Sequence, residues 1–271
     1  MQWCAGQPPI KSTVTYSPSS TPKLGTFKAT YFAQAAPPLP GFPSSGSVVI
    51  KQFYIRTADT PGASLPESGQ QIIDLSREIL CTQWASVLMR LVYDFIRSSK
   101  PQYGQPPFPI PQFRFVRVAL AIESKESHDR RVFMIEERID KHDQGPWCKY
   151  INNNSAVPLL PPGAPARLQH ATEFLVFCQH VQYMKTKGLA YVSDFQGGTT
   201  LLSDPQIITS PTLTGVFGDG NIQSSFSKFI DEHVCSKFCK FYCLGPLVAH
   251  GARSTGSQAG TPSNTHAEVR A

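Results

Sequence analysis

The chain has 271 residues, 41% of them hydrophobic and 16% charged, enough for one large domain or two small lobes and too apolar for a wholly disordered protein. Its net charge of +6 is spread out, with Lys237/Lys240 and Arg130/Arg131 the only clusters. A nucleic-acid groove carries a denser basic stripe, so no nucleic-acid partner is expected.

In chain order, residues 1–20 read as a flexible leader. They begin Met-Gln-Trp-Cys-Ala-Gly-Gln-Pro-Pro, without the basic and apolar regions of a secretory signal. Residues 21–136 read as an N-lobe. Runs at 26–32, 48–54, 113–122 and 131–136 are rich in β-branched, aromatic and other apolar residues and are expected to be strands. Between them, Ile73, Leu80, Trp84, Leu88, Leu91 and Phe95 recur at helical spacing, which predicts one long amphipathic helix over 70–98. Proline-rich interruptions at 37–43, 106–111 and 158–165 read as extended loops.

Residues 137–248 read as a C-lobe. The segment 170–183 suits a helix or a strand, 188–193 is a buried strand, and 221–241 fits a helix burying Phe226, Phe229, Ile230 and Val234. The tail, 249–271, has one Val and no aromatic residue and is expected to be disordered. No uncharged apolar run approaches the ~18 residues of a membrane span, so no membrane partner is expected. Seven cysteines form no paired framework. An intracellular, cytoplasmic location follows as an expectation, with metal ligation the more natural use of the thiols.

Four groups of residues carry chemistry. His233-Val234-Cys235-Ser236-Lys237-Phe238-Cys239 places two cysteines four apart, on one face if helical, with an imidazole just upstream. Two thiolates and an imidazole lack one ligand for tetrahedral zinc, and spacing leaves His180 and His170 both open; buried cysteines acting as small hydrophobes are the plainer alternative. Asp194-Phe195-Gln196 leaves a strand with its first and third side chains on one side, and Asp204 follows on the next loop. Two carboxylates and an amide oxygen suit magnesium beside phosphate, and a polar strand end is the plainer alternative. Gly218-Asp219-Gly220-Asn221 opens the last helix, where backbone N–H groups can hold an anion, although most such turns are only turns. Lys51 lies inside an apolar strand, as an edge charge or as a phosphate ligand with Glu78 of the long helix as its carboxylate partner.

In combination these groups resemble the alpha-kinases, atypical Ser/Thr protein kinases that include myosin heavy-chain kinases and kinase domains fused to TRP-type channels. The resemblance runs through Phe177-Cys178-Gln179-His180, Asp194-Phe195-Gln196-Gly197, Leu202-Ser203-Asp204-Pro205, Phe217-Gly218-Asp219-Gly220-Asn221 and His233-x-Cys235-x3-Cys239. Upstream, Val49-Ile50-Lys51-Gln52-Phe53, Ile135-Glu136-Glu137-Arg138-Ile139 and Lys149-Tyr150-Ile151-Asn152-Asn153-Asn154 look like its nucleotide strand, hinge and Asn-rich segment. It covers roughly residues 23 to 247.

The resemblance implies an α+β, two-lobed protein-kinase-like fold with a zinc-stapled C-lobe, moving the ATP γ-phosphate to Ser/Thr of a protein substrate. Lys51 would contact the ATP phosphates, Glu137 and Ile139 the adenine, and Gln196 and Asp204 would hold Mg2+. Asp194 would orient the substrate hydroxyl or accept its proton. His180, His233, Cys235 and Cys239 would bind structural Zn2+. Two departures stand out: Gln223 replaces a third glycine of the C-lobe loop, and the N-terminal loop Leu24-Gly25-Thr26-Phe27-Lys28 has one glycine. The alternative function is a non-catalytic, zinc-stapled, pseudokinase-like scaffold that binds nucleotide or a partner protein.

Overall fold

Short apolar runs in the first half of the chain pair into one sheet because each offers a face to bury. The computed structural model describes residues 9–17, 22–25, 28–56, 63–125, 130–213, 215–217 and 220–248. Strands β1 (Thr13–Tyr16) and β2 (Lys23–Leu24) both pair with β3 (Lys28–Ala36), which pairs antiparallel with β4 (Ser47–Phe53). Two short strands, β5 (Ile55–Arg56) and β6 (Ala63–Ser64), form a small hairpin before the long helix α1 (Ser68–Tyr103). After it come β7 (Arg114–Phe115), β8 (Val118–Ile122) and β9 (Val132–Glu137), and the large sheet runs β1-β3-β4-β9-β8.

One face of this sheet buries Ala35, Val48, Ile50 and Ile135 under Val14, Tyr16, Leu39 and Phe42. Residues 13–16, expected in a flexible leader, are therefore an edge strand, held by the β3 backbone and by Tyr16 packing on Tyr31 and Phe133. The other face receives α1 through Leu75 against Val132 and Met134.

At 36 residues, α1 outlasts the sheet and continues into the second half of the protein. There Cys81, Ala85, Leu88, Met89 and Val92 join the main core with Phe174, Phe177 and Phe238. The helix is found where its spacing predicts, but the buried stripe is different. Ile73 and Trp84 are exposed, because the sheet and the following helices take the side carrying Leu75, Ala85 and Met89. By length and composition α1 could cross a membrane, with a window of mean hydropathy 1.3; in this fold its buried side packs on protein.

The second half contains α2 (Lys141–Gln144), β10 (Cys148–Lys149), α3 (Ala166–Lys185), β11 (Ala190–Ser193), β12 (Gln196–Gly197), β13 (Leu201–Ser203) and β14 (Gln206–Thr209), then α4 (Gln223–Glu232) and α5 (Lys237–Phe241). A second sheet runs β10-β12-β13-β7, and β11 pairs with β14 alone. The expected strand 113–122 is thus split: β8 stays in the first sheet, while β7 runs parallel to β13 in the second. The ambiguous segment 170–183 is helical. The single helix expected over 221–241 breaks at residues 233–236, so Cys235 lies in an extended linker rather than a turn above Cys239. Residues 249–271, expected as a disordered tail, lie outside the described residues.

Candidate active site

Strand β11 ends at Asp194, whose backbone turns left-handed (φ 56°), and Asp204 does the same between β13 and β14 (φ 54°). Such a conformation in a non-glycine residue costs about 1–3 kcal/mol and persists only where the surroundings fix it. Gly197, between the two, needs its own freedom: at φ 146° an added Cβ would lie 2.2 Å from the Leu201 carbonyl. The turn is therefore tight.

The Asp194 carboxylate is buried, with Oδ1 2.8 Å from Lys149 Nζ and Oδ2 accepting from Gln196 Nε2 at 3.0 Å. Burial raises its pKa above the ordinary value, the nearby Asp204 charge adds to the rise, and Lys149 opposes it. A buried carboxylate of raised basicity is suited to accept a proton or a hydroxyl hydrogen bond. Gln196 Nε2 also reaches the Asp204 carbonyl at 3.4 Å, so the three residues predicted to act together do converge.

Asp204 faces the first sheet. Its Oδ1 lies 2.9 Å from Lys28 Nζ and 3.6 Å from Lys51 Nζ. Burial opposes its ionisation, but the Lys51 and Lys28 ammonium groups hold it well below the usual carboxylate range. Lys28 is half-buried; desolvation opposes its charge too, and the Asp204 and Glu78 carboxylates more than compensate, raising it above the ordinary lysine value.

The expected Lys51–Glu78 pair is corrected by these contacts. Glu78 binds Lys28 at 2.7 Å, and Lys51 binds Glu136 at 2.8 Å. Sheet register decides this: Lys51 stands opposite Met134 on β9, so Glu136, the next β9 side chain on that face, is its diagonal neighbour. Glu136 is fixed in turn by Ser203 Oγ, which donates to it at 3.0 Å.

At the hinge end, Glu137 does not offer its carboxylate to a ligand. Both its oxygens accept from Arg114, at 2.6 and 2.7 Å, and its N–H donates to the Arg117 carbonyl. Ile139 joins Val116, Val118 and Leu201 in a small apolar cluster. Phe32 lies four residues along β3 from Lys28, on the same face of the strand, about 13 Å away at ~3.3 Å per residue. It is 51% exposed, with the Arg138 guanidinium 4.6 Å and the Lys23 ammonium 5.4 Å from its ring centre.

Burial opposes the Glu137 charge, but Arg114 holds its carboxyl below the usual value. A depressed folded pKa gives stability that is present above the unfolded value, about 4.3, and lost as pH falls through the folded one. Glu137→Gln is therefore expected to lower Tm at pH 7 by about 2–4 °C. The gap to wild type should close as pH drops below 4; a gap constant with pH in melting curves would contradict this coupling.

Gly220 packs so closely on Gln206 that an added Cβ would lie 1.7 Å from Gln206 Oε1, and Gly218 lies outside the described residues. Gln223 begins α4 with both amide atoms buried and unpartnered among the described residues.

The cysteine and histidine groups meet as a cluster. Ligand atoms of His180, His233, Cys235 and Cys239 all lie within 4.8 Å of one another and could hold a metal ion. His180 Nδ1 and His233 Nε2 are 3.0 Å apart, and Cys235 Sγ is 3.7 Å from each. These separations are close to the ~3.3–3.8 Å edges of a tetrahedral N/S zinc shell. His180 Nε2 meets the Gly245 carbonyl at 3.1 Å, the outer contact that aims Nδ1 inward. Burial pushes His233 down to about 4, helped by His180, and the Cys239 thiol up to about 11. Burial lowers His180 as well, so both imidazoles are neutral at pH 7, while the Cys239 thiol would have to give up its proton to a bound cation. His170, left open by spacing, instead touches the Pro109 carbonyl.

Three site residues carry no role of their own in the sequence pattern: Lys28 ends the one-glycine loop, Glu136 lies in the hinge-like run and Lys149 opens the Asn-rich run. A charged residue within a buried strand, as at Glu136, was the available signal.

Residues 23–239 match the alpha-kinase family. Myosin heavy chain kinase B of Dictyostelium discoideum is 30% identical over 113 residues, which are 41% of this chain and 14% of that protein. The match thus spans a small part of that relative. The solved alpha-kinase domain of myosin heavy chain kinase A in complex with AMP aligns with a TM-score of 0.55 at 18% identity, over 86% of this chain and 91% of that one. The same domain in complex with AMP-PNP gives 0.55 at 17% identity, over 87% and 88%. At that identity the likeness is one of fold.

Proposed function

The chain belongs to the alpha-kinase family, and from that premise we propose that it is a serine/threonine protein kinase moving the γ-phosphate of Mg2+-ATP to a protein substrate. The observation that carries this reading is the meeting of Asp194, Gln196 and Asp204 with Lys28 and Lys51. These residues come from the two sheets and the turns beside them, so the reading is of two lobes closing on a cleft.

Lys51 and Lys28 bind and neutralise phosphate oxygens, and Glu136 and Glu78 hold the two ammonium groups in place. Gln196 and Asp204 would hold magnesium, which spreads the charge that develops on the transferring group. Asp194 aligns the acceptor hydroxyl and takes its proton, and Lys149 orients that carboxylate. The base lies toward Ile139 and Phe32. His180, His233, Cys235 and Cys239 would hold zinc as a structural staple. Thiolate ligands of this kind suit the intracellular, reducing location included in the proposal.

The test is transfer of labelled γ-phosphate from Mg2+-ATP to a generic basic protein and to the kinase itself, with phosphoamino-acid analysis. Phosphoserine or phosphothreonine is expected. A folded, zinc-loaded preparation that binds ATP and transfers nothing would replace this reading with the non-catalytic scaffold.

A further inference from the structure

Strand β11 leads directly into Asp194, yet among the described residues it has a single strand neighbour, β14. Its other edge is buried, and an unpaired edge there would strand backbone donors and acceptors. Helix α3 fills that role with side chains. The Val192 N–H donates to Gln182 Oε1 at 2.9 Å, and the Val192 carbonyl accepts from Gln179 Nε2 at 3.0 Å. Two residues earlier, the Ala190 N–H donates to Thr186 Oγ1 at 3.0 Å, while that hydroxyl donates to the Ala190 carbonyl at 2.8 Å.

Residues 179, 182 and 186 are spaced three and four apart, which is one helix face, and they meet alternate residues of β11 as a neighbouring strand would. Gln179 and Gln182 are fully buried. Among the described residues Gln179 Oε1 has no partner, so an apolar residue would remove an unsatisfied atom there; what the glutamine supplies is the donor to Val192. Gln182 Nε2 also approaches Met89 Sδ at 3.8 Å, tying the same contact to α1.

We infer that Gln179, Gln182 and Thr186 are positioning residues: one face of α3 stands in for the missing strand beside β11 and sets the place of Asp194. The inference rests on the proposed role of Asp194 in phosphoryl transfer. Because His180 is the next residue after Gln179, the same helix links the metal cluster to the carboxylate.

Gln182→Met keeps length and removes the acceptor. Gln182→Glu, protonated in this buried place, restores it. Thr186→Val keeps shape, removes both Ala190 bonds, and is the milder variant should Gln182→Met fold poorly. Transfer kinetics and amide hydrogen exchange are measured on the zinc-loaded full chain. Gln182→Met is expected to lower kcat about ten- to a hundredfold, the scale of a misplaced reacting group. KM for ATP should stay within about twofold, and Gln182→Glu should recover most of the rate. Val192 and Asp194 amides should exchange faster in Gln182→Met and Thr186→Val than in wild type.

Unchanged kcat and unchanged exchange in the folded variants would overturn the inference, as would equal loss of kcat and ATP binding without rescue. Absence of transfer by wild type speaks against the kinase reading instead, and exchange at Val192 and Asp194 then decides the ladder alone.

Discussion

Asp194→Ala is expected to reduce phosphoryl transfer by about 10²–10⁴-fold, the usual contribution of a positioned acid–base group, while leaving the protein folded. Its stability effect separates a catalytic carboxylate from a structural one. Burial raises the Asp194 pKa above its ordinary value. A raised folded pKa gives a contribution to stability that is present below the unfolded pKa and lost as pH rises through the folded one. At pH 7 the ionised carboxylate is therefore less well accommodated by the fold than by the unfolded chain, and removing it should not lower Tm. Asp194→Asn is expected to melt at or above the wild-type temperature at pH 7 and to lose that margin at pH 4. Lys149, its partner, is 40% exposed and keeps its hydration when left alone. Loss of folding in Asp194→Ala, seen by circular dichroism, would mean that the turn depends on the carboxylate and that its assignment to catalysis is wrong.

On the proposed zinc site, chelation is expected to have the largest effect on stability. The zinc proposal predicts one equivalent of zinc per chain by elemental analysis, with Cys239→Ala and His180→Ala each losing it. Structural zinc sites supply many kcal/mol of folding free energy, so chelation should lower Tm by at least about 10 °C in a chain of this size. The physical reason lies in what the ligands join. His180 belongs to α3, His233 ends α4, Cys235 lies in the linker and Cys239 belongs to α5. Without a cation, a buried thiol, a half-buried thiol and two neutral imidazoles are left crowded together, and α5 depends on Phe238 and Tyr242 packing on Phe177. Cys178 is the control: it is equally buried, two residues from His180, and outside the cluster. Cys178→Ala should lose some packing stability and keep its zinc. Retention of zinc by Cys239→Ala, or an unchanged Tm after chelation, would reduce the cluster to ordinary core.

The two departures seen in the sequence have different places in the fold. Gln223 begins α4, behind the Gly220 approach to Gln206, and its amide lies inside the protein. The one-glycine loop ends at Lys28, which holds Glu78 and Asp204 together. The single glycine therefore leads into a residue that already binds two carboxylates of the site.

What the sequence by itself determined is the order of chemical groups and the kind of elements that carry them. Asp194, Gln196 and Asp204 were legible as a set because a strand end places alternate side chains on one side, and that relation is local. The thiol and imidazole cluster was legible from the close spacing of His233, Cys235 and Cys239, although choosing His180 over His170 needed the family resemblance. The presence and place of α1 were legible from its period, but not its continuation past Ser98 to Tyr103, nor which of its sides is buried, since a helix with apolar residues on two faces leaves the choice to its neighbours. Only the tertiary structure decided that Lys51 pairs with Glu136 and Lys28 with Glu78, because strand register, not chain distance, sets which charges meet. The break between α4 and α5 is of the same kind: His180 on α3, His233 and Cys235 in the break, and Cys239 on α5 meet at one point, and a straight helix through residues 233–236 would not bring Cys235 there. Pairing, register and convergence are relations between distant segments, and they exist only once the chain has folded.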